Sequence, residues 1–118
     1  NNSLGFPGIF RGALDVRPRT ITDEMAIAAS ETMAAMAEEK GQSPDYLLPT
    51  MEEWEVFPRE AAAVAVKAVE QGVARLPTTY DEEFERASDM IRQAREMTQL
   101  LMREGFIVAD PEGDDESR

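Results

Sequence analysis

Two adjacent carboxamides, Asn1 and Asn2, stand directly before a segment rich in glycine and proline. An amide offers a donor to a carboxylate and an acceptor to a hydroxyl, so such a pair can orient a polar ligand without adding charge. On composition alone the same two residues read as helix caps, since asparagine is favoured at the N-terminal flank of a helix. The glycines that follow, Gly5, Gly8 and Gly12, are not spaced G-x-G-x-x-G, and no strand-length segment precedes them. The dinucleotide fingerprint is therefore absent. Glu38-Glu39, Glu52-Glu53 and Asp81-Glu82-Glu83 read as solvated helix ends and not as acid–base dyads. Histidine and cysteine are both missing, which removes the usual general base, the commonest metal ligand and all thiol chemistry. No catalytic and no metal-ligating residue is assigned.

The balance of charge narrows the partners. Against 24 acidic residues stand 12 basic ones, a formal charge of -12 over 118 residues, with no basic stripe. Nucleic acid is thus an unfavourable partner. No apolar run approaches the roughly 20 residues that span a bilayer, and a cytoplasmic protein without membrane contact is expected. Ten arginines against two lysines point to a GC-rich genome, through codon bias alone or with salt adaptation. The chain opens at Asn1 without an initiator methionine, as expected of a polypeptide that starts late, is processed or is cut.

The elements that must position the amides follow from capping and periodicity. Pro7 suits a first helical position, and a short helix is predicted from just after Asn1-Asn2 to Leu14. Thr22 caps a second helix carrying Met25, Ala29, Met33 and Met36, with Gly41 as its stop. Residues 42–57 lose the periodicity between Pro44 and Pro49 and are predicted to wrap as a loop, pinned by Trp54. From Pro58 to Gln71 apolar residues surround the helix axis, and too little chain is present to bury them, so exposure or self-association is expected. Thr79 and Glu82 form a capping box for a long helix with Tyr80, Phe84, Ala87, Ile91, Ala94 and Leu101 on one face, ended by Gly105. Phe106-Ile107-Val108 reads as a short strand or a docking segment, and 110–118 as a disordered acidic tail. The seven methionines are read mostly as core filling.

The run Asn1-Asn2-Ser3-Leu4-Gly5-Phe6-Pro7-Gly8-Ile9-Phe10-Arg11-Gly12-Ala13-Leu14-Asp15 closely resembles the malic enzyme pattern N-N-x-L-x-F-P-G-I-F-R-G-A-L-D in its bacterial and archaeal form. The likeness continues through Ile21-Thr22-Asp23-Glu24-Met25, Leu48-Pro49, Ala65-Val66-Lys67-Ala68 and Gly72-Val73-Ala74-Arg75. It departs at Met51-Glu52-Glu53-Trp54-Glu55 and is not matched beyond Leu76, where the long helix reads as lineage-specific.

This resemblance implies oxidative decarboxylation of malate to pyruvate and carbon dioxide, with NAD or NADP and with magnesium or manganese. It implies that Asn2 contacts the substrate, that Asn1 lies near the nicotinamide, and that the acid–base pair, metal ligands and phosphate loop belong to the remaining enzyme chain. The fold implied is mainly α for this chain alone, as the C-terminal portion of a Rossmann-like NAD(P)-binding domain. Residues 1–76 would form that portion, 77–109 a long helix with a docking segment, and 110–118 the tail. A homo-oligomer is expected, and the chain alone is expected to be inactive. The competing reading is a stand-alone acidic helical module that binds a protein partner.

Overall fold

The computed structural model describes residues 1–108; the acidic 110–118 segment lies outside the described residues. Four helices follow one another: α1 (Asn2–Val16), α2 (Asp23–Lys40), α3 (Val56–Glu70) and α4 (Tyr80–Arg103). No strand is present among the described residues, only an isolated bridge between Ser43 and Tyr46. The mainly α expectation holds.

Local chemistry sets each boundary. Asn1 caps α1, and Pro7 lies inside this helix instead of at its first position, because the turn begins five residues earlier. Lacking an N–H, Pro7 leaves the Ser3 carbonyl without its usual partner four residues on, a loss confined to the second turn. At the other end Arg17 adopts the left-handed conformation (φ 48°, ψ 59°), and its N–H closes onto the Ala13 carbonyl at 2.8 Å. Thr22 accepts from Met25 N at 3.2 Å and donates to Gln71 at 2.6 Å, which ties the start of α2 to the end of α3. The Thr79–Glu82 capping box forms as read, at 3.3 and 3.2 Å. Gly105, at φ 78°, ends α4, with Phe106 N bonded to the Leu101 carbonyl at 2.9 Å. Phe106-Ile107-Val108 is accordingly a helix-terminating turn and not a strand.

The helix expected to lack cover is the best covered. α3 packs against both α1 and α2. Val56, Ala61, Ala62, Val64, Ala65 and Ala68 are all fully buried. Small alanines let two neighbours approach at once, so far less chain suffices than large side chains would need. Glycine does the same from the α1 side: a Cβ at Gly12 would sit 2.5 Å from the Ala61 carbonyl oxygen. One apolar cluster joins Ala13, Val16, Met25, Ala29, Val64, Ala65 and Ala68. A second joins Leu4, Met33, Met36 and Val56. The core-filling reading thus holds for the three methionines of α2, whereas Met51, Met90 and Met97 are exposed.

The 42–57 loop is held by polar contacts more than by its apolar residues. Leu47, Leu48 and Met51 stay exposed and Trp54 is half-buried. Glu53 instead collects Lys40 Nζ, the Tyr46 hydroxyl (2.9 and 3.0 Å) and Thr50 N (2.6 Å). These donors, Lys40 foremost, hold the Glu53 carboxyl down at about 2. Spatially the chain divides into two compact units, Asn1–Ser88 and the part from Asp89 onward. In the second, the C-terminal half of α4 exposes Met90, Met97 and Leu100.

Candidate functional site

Asn1 and Asn2 lie side by side at the N-terminus of α1, both exposed, but in different states. Asn1 spends its side-chain oxygen on the helix, accepting from Ser3 N at 3.0 Å, while its carbonyl accepts from Leu4 N and Gly5 N at 3.2 and 3.0 Å. Its amide N–H2 remains available to donate. Asn2, the first helical residue, is exposed and makes no such cap bond among the described residues. The capping role that composition allowed for the pair therefore falls to Asn1 alone. The positive end of the α1 dipole lies at the same place, which favours an anion there.

What fixes this terminus is the packing behind it. Leu4, 1% exposed, anchors the first turn among Met33, Met36 and Val56. Further along, Gly8 makes room for Glu60, whose carboxylate would collide at 2.4 Å with any Cβ placed there. Glu60 is buried, and neither of its oxygens has a partner among the described residues. Burial pushes its pKa up to about 8, so the protonated form predominates at neutral pH. The folded chain then keeps a proton that the unfolded chain releases above about 4.5. The stability this confers is complete below that value and is lost as pH rises through about 8. Glu60→Gln keeps the shape and abolishes the titration. Its melting temperature should gain on the native protein as pH rises from 5 and level off above about 8, by on the order of ten degrees or more in all. A difference that stays constant across that range would mean that Glu60 does not hold the proton.

A second buried carboxyl, Glu83, is raised by burial and next by its hydrogen bond to Asp15, while Arg86 and Arg11 oppose the shift. It donates no chemistry to the amide pair. Among the described residues there is no group of three carboxylates, histidines or cysteines with metal-binding spacing. The donor set of this segment does not fit a divalent ion. No helix is long and apolar enough to cross a membrane among the residues described.

Comparison with known proteins bears directly on residues 1–72, which match the model of the malic enzyme NAD-binding domain. The chain belongs to the malic enzyme family. It is 49% identical over 86 residues to the bifunctional malic/malolactic enzyme of Bacillus subtilis, covering 73% of the chain and 21% of that protein. Against the NAD-dependent malic enzyme of Rhizobium meliloti it is 37% identical over 122 residues, with 92% of the chain and 15% of the relative covered. The Entamoeba histolytica malic enzyme superposes with a TM-score of 0.90 at 50% identity, over 94% of the chain and 23% of the other. The malic enzyme of Pyrococcus horikoshii gives 0.80 at 42%, over 88% and 24%. The chain therefore spans about a quarter or less of the relatives it matches. Coverage of 92% and 94% reaches well past Leu76, so the long helix is shared with these malic enzymes and is not lineage-specific. The helices of residues 1–72 correspond to a portion of the Rossmann-like NAD-binding domain of this family.

The sequence located the amides by pattern. It missed Glu60, because one glutamate in an alanine-rich helix carries no local mark of burial. The glycine at position 8, which faces it across the α1–α3 contact, is recognisable as a partner only once the two helices are packed.

Proposed function

We propose that this chain works as part of a malic enzyme that oxidatively decarboxylates malate to pyruvate and carbon dioxide with NAD or NADP. The observation that carries this reading is the exposed Asn1–Asn2 pair at the N-terminus of α1, inside the stretch that matches the family's NAD-binding domain. Asn2, free of any cap, donates its amide to a carboxylate of the dicarboxylate substrate and can accept from its hydroxyl. Asn1, with its oxygen engaged, offers an N–H toward the carboxamide end of the nicotinamide. In this reading the acid–base groups, and magnesium or manganese with them, belong to the remainder of the longer enzyme, of which this chain spans about a fifth, since the described residues here do not fit the metal.

Phe6, Phe10 and Leu14 repeat every fourth residue along α1 and are 48%, 51% and 64% exposed, with the two rings stacked 5.5 Å apart. In this reading the Phe6 end of the stripe meets the remaining enzyme chain, because exposed apolar side chains in a row are rarely all left to water, while its Phe10–Leu14 end stays open. Homo-oligomeric assembly belongs to the same picture. Nucleotide reduction followed at 340 nm tests the proposal: the complete protein should consume malate with NAD or NADP in the presence of magnesium or manganese. The 118-residue chain alone should give none, having no base for the hydroxyl proton. A complete protein inert with both nucleotides and both metals would sink the reading.

A further inference from the structure

At the C-terminal end of α1 an open cleft of about 680 Å³ gathers Phe10, Leu14 and Ile21 with Arg11, Arg17 and Arg75. No acidic residue lines it. Three arginines along one cleft are unexpected in a chain of net charge -12 with ten arginines in all. Two are brought together by the backbone: Arg17 ends α1 in a left-handed conformation, where glycine is the default, and Arg75 N bonds the Val16 carbonyl at 3.0 Å. Arg11 is paired with Asp15. Neither Arg17 nor Arg75 has an ion pair or side-chain hydrogen bond among the described residues, and both are exposed. A planar guanidinium matches a carboxylate or phosphate in a bidentate fork. The volume lies within the roughly 300–1,000 Å³ of small-molecule pockets.

We propose that this cleft binds a small organic anion, with its carboxylate or phosphate on Arg17 and Arg75 and its apolar body against Phe10, Leu14 and Ile21. This is independent of the malate site assigned to the other end of α1. The apolar wall favours an organic body over a bare inorganic ion, and the two arginines without carboxylate partners favour an anion over a neutral ligand.

Phenyl phosphate combines both features and serves as the probe, with inorganic phosphate and phenol as its separated halves. Titrated into the complete protein and followed by calorimetry or by NMR line shifts, phenyl phosphate should bind at least about tenfold more tightly than either half. The double variant Arg17→Ala/Arg75→Ala should weaken it at least about tenfold more while phenol binding stays as it was. Ile21→Asp should weaken phenyl phosphate and leave inorganic phosphate less affected. Because all three side chains are exposed, melting temperatures should stay within a few degrees of the native value. Equal affinity in the double variant, no gain over the two halves, or no binding because the cleft is covered in the complete protein would each overturn the proposal.

Discussion

Replacing Asn2 by alanine in the complete enzyme should lower kcat/KM for malate by roughly ten- to 150-fold, the loss of one hydrogen bond to a charged group worth ~1.5–3 kcal/mol. The fold should not notice. Asn2 is the first residue of α1 and makes no cap, since the oxygen that closes onto Ser3 N belongs to Asn1. Alanine is also the better helix former, so the melting temperature should hold or rise slightly. Asn1→Ala is the opposite case on stability: losing the cap should cost about 1 kcal/mol whatever the ligand. Measuring malate kinetics and melting on both variants separates substrate contact from helix capping. Near-native malate kinetics in Asn2→Ala would take this residue out of the substrate site.

Gly12→Ala should destabilise the protein by about 1–3 kcal/mol, lowering the melting temperature by about 4–8 °C per kcal/mol. In an unobstructed helix the same change stabilises by up to ~1 kcal/mol, so the sign decides. The added Cβ would lie 2.5 Å from the Ala61 carbonyl oxygen and 3.0 Å from Val64 Cβ, and a helix backbone cannot swing aside as a side-chain end can. Gly5→Ala is the matched control on the same helix. Its Cβ would meet only Met33 Cε at 3.8 Å and Ile9 Cδ1 at 4.0 Å, ordinary contacts, so stability should rise. Equal shifts in the two variants, in either direction, would mean that α1 and α3 do not approach as closely as described.

Both results turn on α1, and its two ends illustrate different uses of one helix. Its start holds the amides where the helix dipole favours an anion. Its end, closed by a left-handed arginine, forms the rim of the cleft. Between them the buried face of Leu4, Gly5, Gly8, Gly12, Ala13 and Val16 fixes the helix against its neighbours. On the opposite face Phe6, Phe10 and Leu14 are exposed, Phe6 toward the amide end and Phe10 with Leu14 along the cleft.

Capping and turn chemistry are local, and the sequence by itself determined them: Thr22, Gly41, Thr79 with Glu82, and Gly105 act through atoms within a few residues, so α2 and the ends of α4 were readable from spacing. The Asn1 to Asp15 run likewise placed the chain in its family, because fifteen residues in register are more specific than any composition. Only the tertiary structure decided the rest. Which of two adjacent asparagines caps the helix depends on backbone angles that their identity does not set. Whether an alanine-rich helix is covered depends on how closely its neighbours approach, and here Gly8 and Gly12 let α1 come in. Glu60 looked like any helix-surface carboxylate until two helices closed over it, and Arg75 meets Arg17 across 58 residues of chain only because its N–H bonds the Val16 carbonyl. Long-range contacts of this kind cost loop-closure entropy that short-range pattern does not record, which is why no local signal announced them.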